Sequence, residues 1–344
     1  MDLNQRIKAF DLLGRFLRDY SSNNEGGTNF DALENTLIKA KVKNPWFTPE
    51  NSILALSAWA DELTESKLTN WLSAYAFPEN TPKSIGIIMA GNLPLVGFHD
   101  LLTVLISGNK ALVKASTDDS ELMPFVMNKL IEIEPEFEAQ IERVEKLVKP
   151  DAVIATGSNN TARYFESYFG KYPNIIRKNR NSVAVLTGDE TEEELKLLAD
   201  DLFMYFGLGC RNVTKLYLPK GFDLDRIFGG IFHYSEIGHH NKYGNNYDYY
   251  RAIYLLNQEP FLENGFAVMR ENKNLGSPVA VINYEFYDNL ESLKQELNSV
   301  EEKIQCIVSS EKSIENCVEF GQSQKPGLGD YADGVDTMRF LLEL

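Results

Sequence analysis

The order of hydrophobic patterns along the chain constrains its fold most strongly. From Pro82 onward, short runs rich in β-branched and other apolar residues alternate with longer stretches whose apolar residues recur at helical spacing. This alternation predicts parallel strands joined by crossover helices, and therefore a doubly wound α/β sheet. The first predicted strands are residues 85–89, 111–114, 152–156 and 183–186, and the helices after them are residues 95–106, 120–133, 160–169 and 190–206.

The residues before Pro82 have a different pattern. Apolar residues recur there only at helical spacing, and Thr48-Pro49 is typical of a helix start. After residue 206 the alternation of strands and helices begins again. We therefore expect a helical region over residues 1–80, α/β lobes over 81–206 and 207–325, and a C-terminal strand segment over 326–344.

Charge and cysteine content exclude several classes of protein. The net charge of −16 disfavours nucleic-acid binding, which requires a basic surface. No apolar run approaches the 18 residues of a membrane span, and the start of the chain lacks the layout of a signal peptide. Three widely spaced cysteines do not suggest a disulfide framework. We expect a cytoplasmic protein, and the sequence leaves open whether it forms a homo-oligomer.

Four short segments carry residues suited to chemistry, centred on Asn92, Lys114, Ser158 and Cys210. Each residue also has a structural explanation. Asn92 could simply turn the chain, Lys114 could be a solvated strand end, Ser158 could cap a helix, and Cys210 could be a small buried residue. The segments are residues 89–95, 108–116, 155–158 and 206–212.

In their order and spacing these segments resemble the aldehyde dehydrogenase superfamily. That superfamily has an Asn-Phe-Pro-Leu turn, a Gly-Asn…Lys-Pro-Ser strand, a Thr-Gly-Ser turn and a cysteine in a glycine-rich segment. Within it, the chain is most similar to the fatty acyl-CoA reductases of bacterial bioluminescence and their relatives. The Asn92-Leu93-Pro94 turn, the short chain and the segment 330–336 (Asp-Tyr-Ala-Asp-Gly-Val-Asp) carry this narrower likeness.

The resemblance implies an aldehyde-dehydrogenase-like fold with two doubly wound α/β lobes and the catalytic cysteine between them. Residues 1–80 would pack on a cofactor-binding lobe formed by residues 81–206, and residues 207–325 would form the catalytic lobe. The implied activity is NAD(P)H-dependent reduction of an acyl-CoA thioester to an aldehyde. NADPH is the expected cofactor, with NADH as the alternative.

The resemblance also implies roles for individual residues. Cys210 would attack the thioester and form an acyl-enzyme, while Asn92 and the backbone N–H of Cys210 would hold the oxyanion. Lys114 and Ser116 would contact the adenosine ribose, although alanine replaces the proline of the family's Lys-Pro-Ser. Gly157 and Ser158 would lie near the pyrophosphate or the nicotinamide.

One departure from the superfamily bears on the reaction. Members that oxidise aldehydes carry a Glu-Leu-Gly-Gly-Lys motif before the cysteine, and its glutamate activates the hydrolytic water. The corresponding stretch is residues 176–182, which contains no carboxylate and three cations, Arg177, Lys178 and Arg180. This favours thioester reduction over hydrolysis. The cations could support a Cys210 thiolate or attract phosphates, or the stretch could be a solvated loop.

Other residue clusters have simpler explanations. The histidines 233, 239 and 240 lie near Glu236, but no second cluster completes a metal site, so we expect no metal. His99 is expected to pack in the core. The tyrosines at 243, 247, 249, 250 and 254 could line an acyl tunnel, but core packing is the more common role. Cys306 and Cys317 are expected to be structural.

Two other functions fit the same sequence. The chain could reduce another activated acyl group, such as an acyl phosphate. It could also be a catalytically silent scaffold that keeps the fold, although the presence of Asn92, Lys114, Ser158 and Cys210 argues against this.

Overall fold

A computed structural model describes residues 1–22, 30–78 and 81–344. The chain divides into two compact units, with Met1–Lys178 and Gly327–Leu344 in unit 1 and Asn179–Pro326 in unit 2. Each unit is built on a predominantly parallel sheet, which confirms the predicted α/β class. The predicted boundary at residue 80 lies outside the described residues.

Unit 1 begins with helices, and three of them start at a side-chain cap. Asp2 forms a capping box with Gln5, while Thr48 and Thr64 each accept a hydrogen bond from a backbone N–H three residues further on. Pro49 occupies the first turn, where its missing N–H costs nothing. These helices are α1 (Leu3–Ser21), α2 (Asp31–Lys43), α3 (Pro49–Glu62) and α4 (Glu65–Leu72).

The sheet of unit 1 has five parallel strands, β1 (Ser84–Ile88), β2 (Lys110–Lys114), β3 (Ile141–Arg143), β4 (Ala152–Thr156) and β5 (Asn174–Arg177). Their order in the sheet is β3-β2-β1-β4-β5. The chain therefore moves outward in one direction from β1 and in the other from β4. In open α/β sheets, ligands bind at the carboxyl ends of the strands where the order reverses in this way. The helices that follow strands are α5 (Phe98–Ile106), α6 (Leu122–Ile133) and α7 (Asn159–Phe169).

The sheet of unit 2 has the order β12-β11-β6-β7-β10-β9-β8, and only the β8–β9 pair is antiparallel. Its strands are β6 (Asn181–Val185), β7 (Val213–Pro219), β8 (Leu262–Glu263), β9 (Val268–Glu271), β10 (Val281–Tyr287), β11 (Ile304–Val308) and β12 (Cys317–Val318). The helices are α8 (Glu192–Phe203), α9 (Asp225–Ile231), α10 (Asn241–Leu256) and α11 (Leu290–Ser299).

Three expectations differ from the structure. The units divide after residue 178 and not after 206, because β6 pairs with β7 and β11 and so belongs to the second sheet. The apolar spacing of residues 314–320 also predicts a helix, but the structure has strand β12 there, paired with β11. The expected C-terminal strand is instead helix α12 (Thr337–Leu342), capped by Asp336, with Met338 and Leu341 buried at helical spacing.

Candidate active site

In unit 1, the predicted site residues follow strands at one edge of the sheet. Ile88, the last residue of β1, pairs with Lys114 at the end of β2 and with Ala155 near the end of β4. The three carboxyl ends are therefore level. Because Asn92, Ser116, Gly157 and Ser158 come within a few residues of these ends, the fold places the five predicted residues of unit 1 at the edge where the strand order reverses.

The loop after β1 is held against the loop after β2. A side chain at Gly91 would place its Cβ only 2.4 Å from Ser116 Oγ, so this close approach requires glycine. Leu95, in the left-handed region at φ 59°, donates its N–H to Asp119 Oδ2 at 3.0 Å. Burial raises the pKa of Asp119, and hydrogen bonds from backbone N–H groups oppose that rise. Sequence reasoning missed Asp119, because an acid in a turn normally indicates a solvated side chain.

The loop after β4 leads directly into helix α7. Ser158 is exposed and accepts a hydrogen bond from the Thr161 N–H at 3.2 Å, so it caps α7, which is the structural alternative considered from the sequence. The first turn of α7 therefore begins at the edge of the sheet that carries Asn92 and Lys114, both of which are exposed. A helix start in this position favours a bound phosphate, because its N–H groups and its dipole attract negative charge.

In unit 2, Cys210 lies on a turn between α8 and β7. Its thiol is exposed, whereas Cys306 is buried and Cys317 is half-buried. The turn follows three successive left-handed residues, Tyr205, Phe206 and Gly207, at φ 53°, 61° and 72°. Non-glycine residues in this region cost about 1–3 kcal/mol each and are concentrated at functional sites.

The side chain of Asn212 compensates for this strained segment. Asn212 is fully buried; its Oδ1 accepts a hydrogen bond from the Gly209 N–H at 2.8 Å. Its Nδ2 donates to the carbonyls of Met204 at 3.0 Å and Asp201 at 3.2 Å. One side chain therefore connects both ends of the segment that precedes Cys210. Sequence reasoning did not single out Asn212, since an asparagine beside a glycine-rich turn gives no sign of burial.

A second buried group, Ser182, holds the cysteine itself. Ser182 Oγ donates to the Cys210 carbonyl at 2.9 Å, accepts from the Cys306 N–H at 3.2 Å and lies 3.1 Å from Cys306 Sγ. Burial raises the pKa of the Cys306 thiol. Cys306 therefore has the environment of a structural residue, in contrast to the exposed thiol of Cys210.

The residue after the cysteine is also anchored. Arg211 Nε donates to the Ser323 carbonyl, and the Ser323 N–H donates to Asp201 Oδ1 at 2.9 Å. Burial raises the pKa of Asp201, while hydrogen bonds from the backbone of Gly321 and from Ser323 lower it. The positive charge of Arg211 is thus held next to Cys210 in sequence by a buried polar network.

The basic stretch 176–182 is a solvated loop only in part: residues 178–180 connect β5 to β6, and Lys178 and Asn179 are exposed. Arg177 is buried and forms an ion pair with Asp100 at 2.5 Å, and it also donates to Thr337 Oγ1 at 3.0 Å. Lys178 pairs with Glu166, and Arg180 donates to the Ile304 carbonyl. The charge of Arg177 is therefore balanced within unit 1, where it ties α12 to α5 and β5.

The remaining candidates have mainly structural positions. His99 Nε2 donates a hydrogen bond to the Leu328 carbonyl and the ring stacks on Trp59, which confirms its packing role. His239 and Glu236 form an exposed pair 3.7 Å apart, and no cluster suited to a metal ion occurs among the described residues. Of the five tyrosines, those at 243, 247 and 254 are buried.

Solved structures with a similar fold define the class of protein. An aldehyde dehydrogenase 21 from Physcomitrella patens, in complex with succinate, matches with a TM-score of 0.69 and 11% identity over 100% of this chain and 84% of that one. An aldehyde dehydrogenase from Mycobacterium tuberculosis, complexed with NAD+, matches at 0.66 and 12% over 95% and 77%. An acetylating aldehyde dehydrogenase from Geobacillus thermoglucosidasius matches at 0.64 and 10% over 99% and 90%. The chain has the aldehyde dehydrogenase fold.

A match to a protein family classifies the chain more specifically than its fold does. Residues 35–224, more than half of the chain, match the model of the acyl-CoA reductase (LuxC) family. The chain belongs to this family and is an oxidoreductase, which confirms the resemblance found in the sequence. No curated protein sequence matches it. In the described part of the chain, no helix is long and apolar enough to cross a membrane.

Proposed function

We propose that this protein reduces an acyl-CoA thioester to an aldehyde with NAD(P)H, through an acyl group carried on Cys210. The observation that carries the proposal is the exposed thiol of Cys210, on a turn fixed by buried Asn212 and Ser182, in a member of the acyl-CoA reductase family. Buried side chains that hold an exposed nucleophile are the support that a catalytic residue requires.

The proposed reaction begins with the Cys210 thiolate, which attacks the carbonyl carbon of the thioester. The bond from that carbon to the CoA sulfur breaks, and CoA leaves as a thiolate that takes a proton from solvent. When bound, NAD(P)H would supply the hydride that the acyl group accepts. The bond to Cys210 then breaks, the aldehyde departs, and the thiolate is restored.

The carboxyl edge of unit 1 fits a dinucleotide. It combines a reversal of strand order, an exposed lysine at the end of β2 and the start of α7 capped by Ser158. We propose that Lys114 and Ser116 bind the adenosine ribose and that Gly157 and Ser158 lie near the pyrophosphate or nicotinamide. NADPH is the proposed cofactor, since Lys114 could also pair with a 2′-phosphate.

Asn92 is proposed to donate a hydrogen bond to the acyl oxygen as negative charge develops there, together with the backbone N–H of Cys210. Its exposed position on the loop after β1, fixed by the Gly91–Ser116 contact, supports this role. A preorganised donor stabilises the oxyanion without reorganisation during the reaction.

Thioester reduction is favoured over hydrolysis by the position of Arg177. The superfamily's catalytic glutamate corresponds to the stretch 176–182, where Arg177 is buried against Asp100. Water attack needs a base within about 2.6–3.2 Å of the proton that it removes. An arginine held in an ion pair cannot accept that proton, so the acyl-enzyme should persist until hydride or CoA arrives.

The proposal is tested by running the reaction backward. With aldehyde and NADP+, we expect acyl-CoA to form when CoA is added and little product without it. Rapid formation of free carboxylic acid without CoA would contradict the assignment. Parallel assays with acyl phosphate distinguish the alternative acyl donor, and a complete absence of reductase activity with both donors would support the silent scaffold.

A further inference from the structure

A cavity of about 330 Å³ opens at the amino edge of the unit 1 sheet, the edge opposite to Asn92 and Lys114. Three of its lining residues, Lys83, Asn109 and Gln140, directly precede the first residues of β1, β2 and β3. Its size is at the lower end of the range for small-molecule pockets, about 300–1,000 Å³, and suits a small ligand. No role proposed above uses this cavity.

Arg6 on helix α1 is the cationic group of this cavity. The guanidinium lies against Gly108, where an added Cβ would be only 2.1 Å from Arg6 Nη1. Gly108 also has φ 91°, a left-handed conformation that favours glycine. The Gly108 of the sequence motif therefore makes room for the guanidinium as well as turning the chain into β2.

Arg6 is half-buried, and one nitrogen of its guanidinium lacks the partner that it would normally have. Arg6 Nε is buried and has no hydrogen-bond partner among the described residues, and the same holds for Gln140 Oε1. Burial lowers the pKa of Arg6, and the negative charge of Asp2 opposes this effect. Partial removal of a cation from water, with one N–H left unpaired, is unfavourable, so an anion in the cavity would be stabilising.

The other walls indicate what kind of anion would fit. Apolar side chains line the cavity beside the guanidinium, among them Phe77, Leu341 and Leu342. Lys83 adds a second cation, and the Gln140 amide can donate a hydrogen bond after a half-turn about its last bond. A ligand with an anionic group and an apolar chain would contact both the cationic and the apolar side chains of the cavity.

We propose that this cavity binds a small amphiphilic anion, an alkyl carboxylate whose head group pairs with Arg6 and whose chain packs on Phe77, Leu341 and Leu342. The site is separate from the carboxyl edge of the same sheet. It does not depend on the reaction proposed for Cys210.

The test measures the thermal stability of the full chain with hexanoate, 1-hexanol and inorganic phosphate. A ligand that binds only the folded state raises the melting temperature with concentration. We expect hexanoate to raise it, 1-hexanol and phosphate to raise it much less, and Arg6→Gln to weaken hexanoate binding at least tenfold. Lys8→Gln removes an exposed charge from the same helix and should leave hexanoate binding unchanged.

Three results would overturn the proposal: no response to hexanoate, an equal response to 1-hexanol or phosphate, or equal hexanoate binding by Arg6→Gln. If Arg6→Gln does not fold, Lys83→Gln replaces it, with an expected three- to tenfold loss of binding; unchanged hexanoate binding there would also count against the site. Because the readout is stability, an inactive enzyme would still give a clear answer.

Discussion

The two regions proposed to act on substrate and cofactor are stabilised in different ways. At the carboxyl edge of unit 1, strand register, a glycine contact and helix caps fix loops whose key side chains, Asn92 and Lys114, are exposed. In unit 2, the turn of Cys210 is stabilised by hydrogen bonds with the buried side chains of Asn212 and Ser182. Substitutions of the exposed side chains in unit 1 should therefore change only binding or catalysis. Substitutions of the buried side chains that support Cys210 should also lower the free energy of unfolding.

The largest expected effect of a substitution in unit 1 is that of Asn92→Ala. Loss of one oxyanion donor should lower kcat by roughly 10²- to 10³-fold. The free energy of unfolding should change by less than about 0.5 kcal/mol, as for other exposed positions. Steady-state kinetics and denaturant unfolding measure the two quantities. Asn35→Ala, which removes an exposed asparagine from helix α2, serves as the control. Unchanged turnover in Asn92→Ala would leave Asn92 as a turn former.

Asn212→Ala should affect both stability and turnover. It leaves the Gly209 N–H and the carbonyls of Met204 and Asp201 without their partner, so we expect a loss of about 2–4 kcal/mol in the free energy of unfolding. Turnover of the folded protein should fall at least tenfold, because the strained turn loses its support. Denaturant unfolding followed by kinetics on folded protein checks this.

The matched control for that variant is Asn246→Ala on α10, which removes a single exposed hydrogen bond to the Lys242 carbonyl. It should cost less than about 0.5 kcal/mol. If the two variants lost equal stability, the contrast between a buried support in unit 2 and exposed groups in unit 1 would fail.

A smaller effect, confined to the cofactor, is expected for Lys114→Ala. Loss of a charge-assisted hydrogen bond should raise the Kd for NADPH by roughly 10- to 100-fold. The rate of thiol alkylation at Cys210 should be unchanged. Lys110→Ala, at the other end of β2 and paired with Glu142, is the control and should bind NADPH normally. Equal NADPH affinity in all three proteins would remove Lys114 from the cofactor site.

Much of the fold followed from local sequence patterns. The strands of unit 1 that flank the proposed cofactor edge have buried apolar runs, and helices such as α3 and α8 begin at recognisable caps. The C-terminal segment was misassigned because Met338, Phe340 and Leu342 alternate as in a strand, while burial of Met338 and Leu341 follows the helix. Short apolar segments do not distinguish these two periods.

The supports of the site were harder to predict. Cys210 and Asn92 stand in recognisable motifs, whereas Asn212, Ser182 and Asp119 act through hydrogen bonds to residues brought near by the fold. The burial of Arg177 was equally hard to predict, because its ion-pair partner Asp100 lies 77 residues away in the sequence. A polar side chain in a loop has no sequence signal that distinguishes burial from exposure.

The central claim is that Cys210 carries the acyl group. The direct measurement is mass spectrometry of peptides after the protein is mixed with acyl-CoA in the absence of reduced cofactor. We predict one added acyl group on the peptide that contains Cys210 and none on the peptide that contains Cys306, which is buried and whose pKa is raised by burial. An adduct on Cys306 or Cys317, or no adduct with any acyl-CoA, would contradict it.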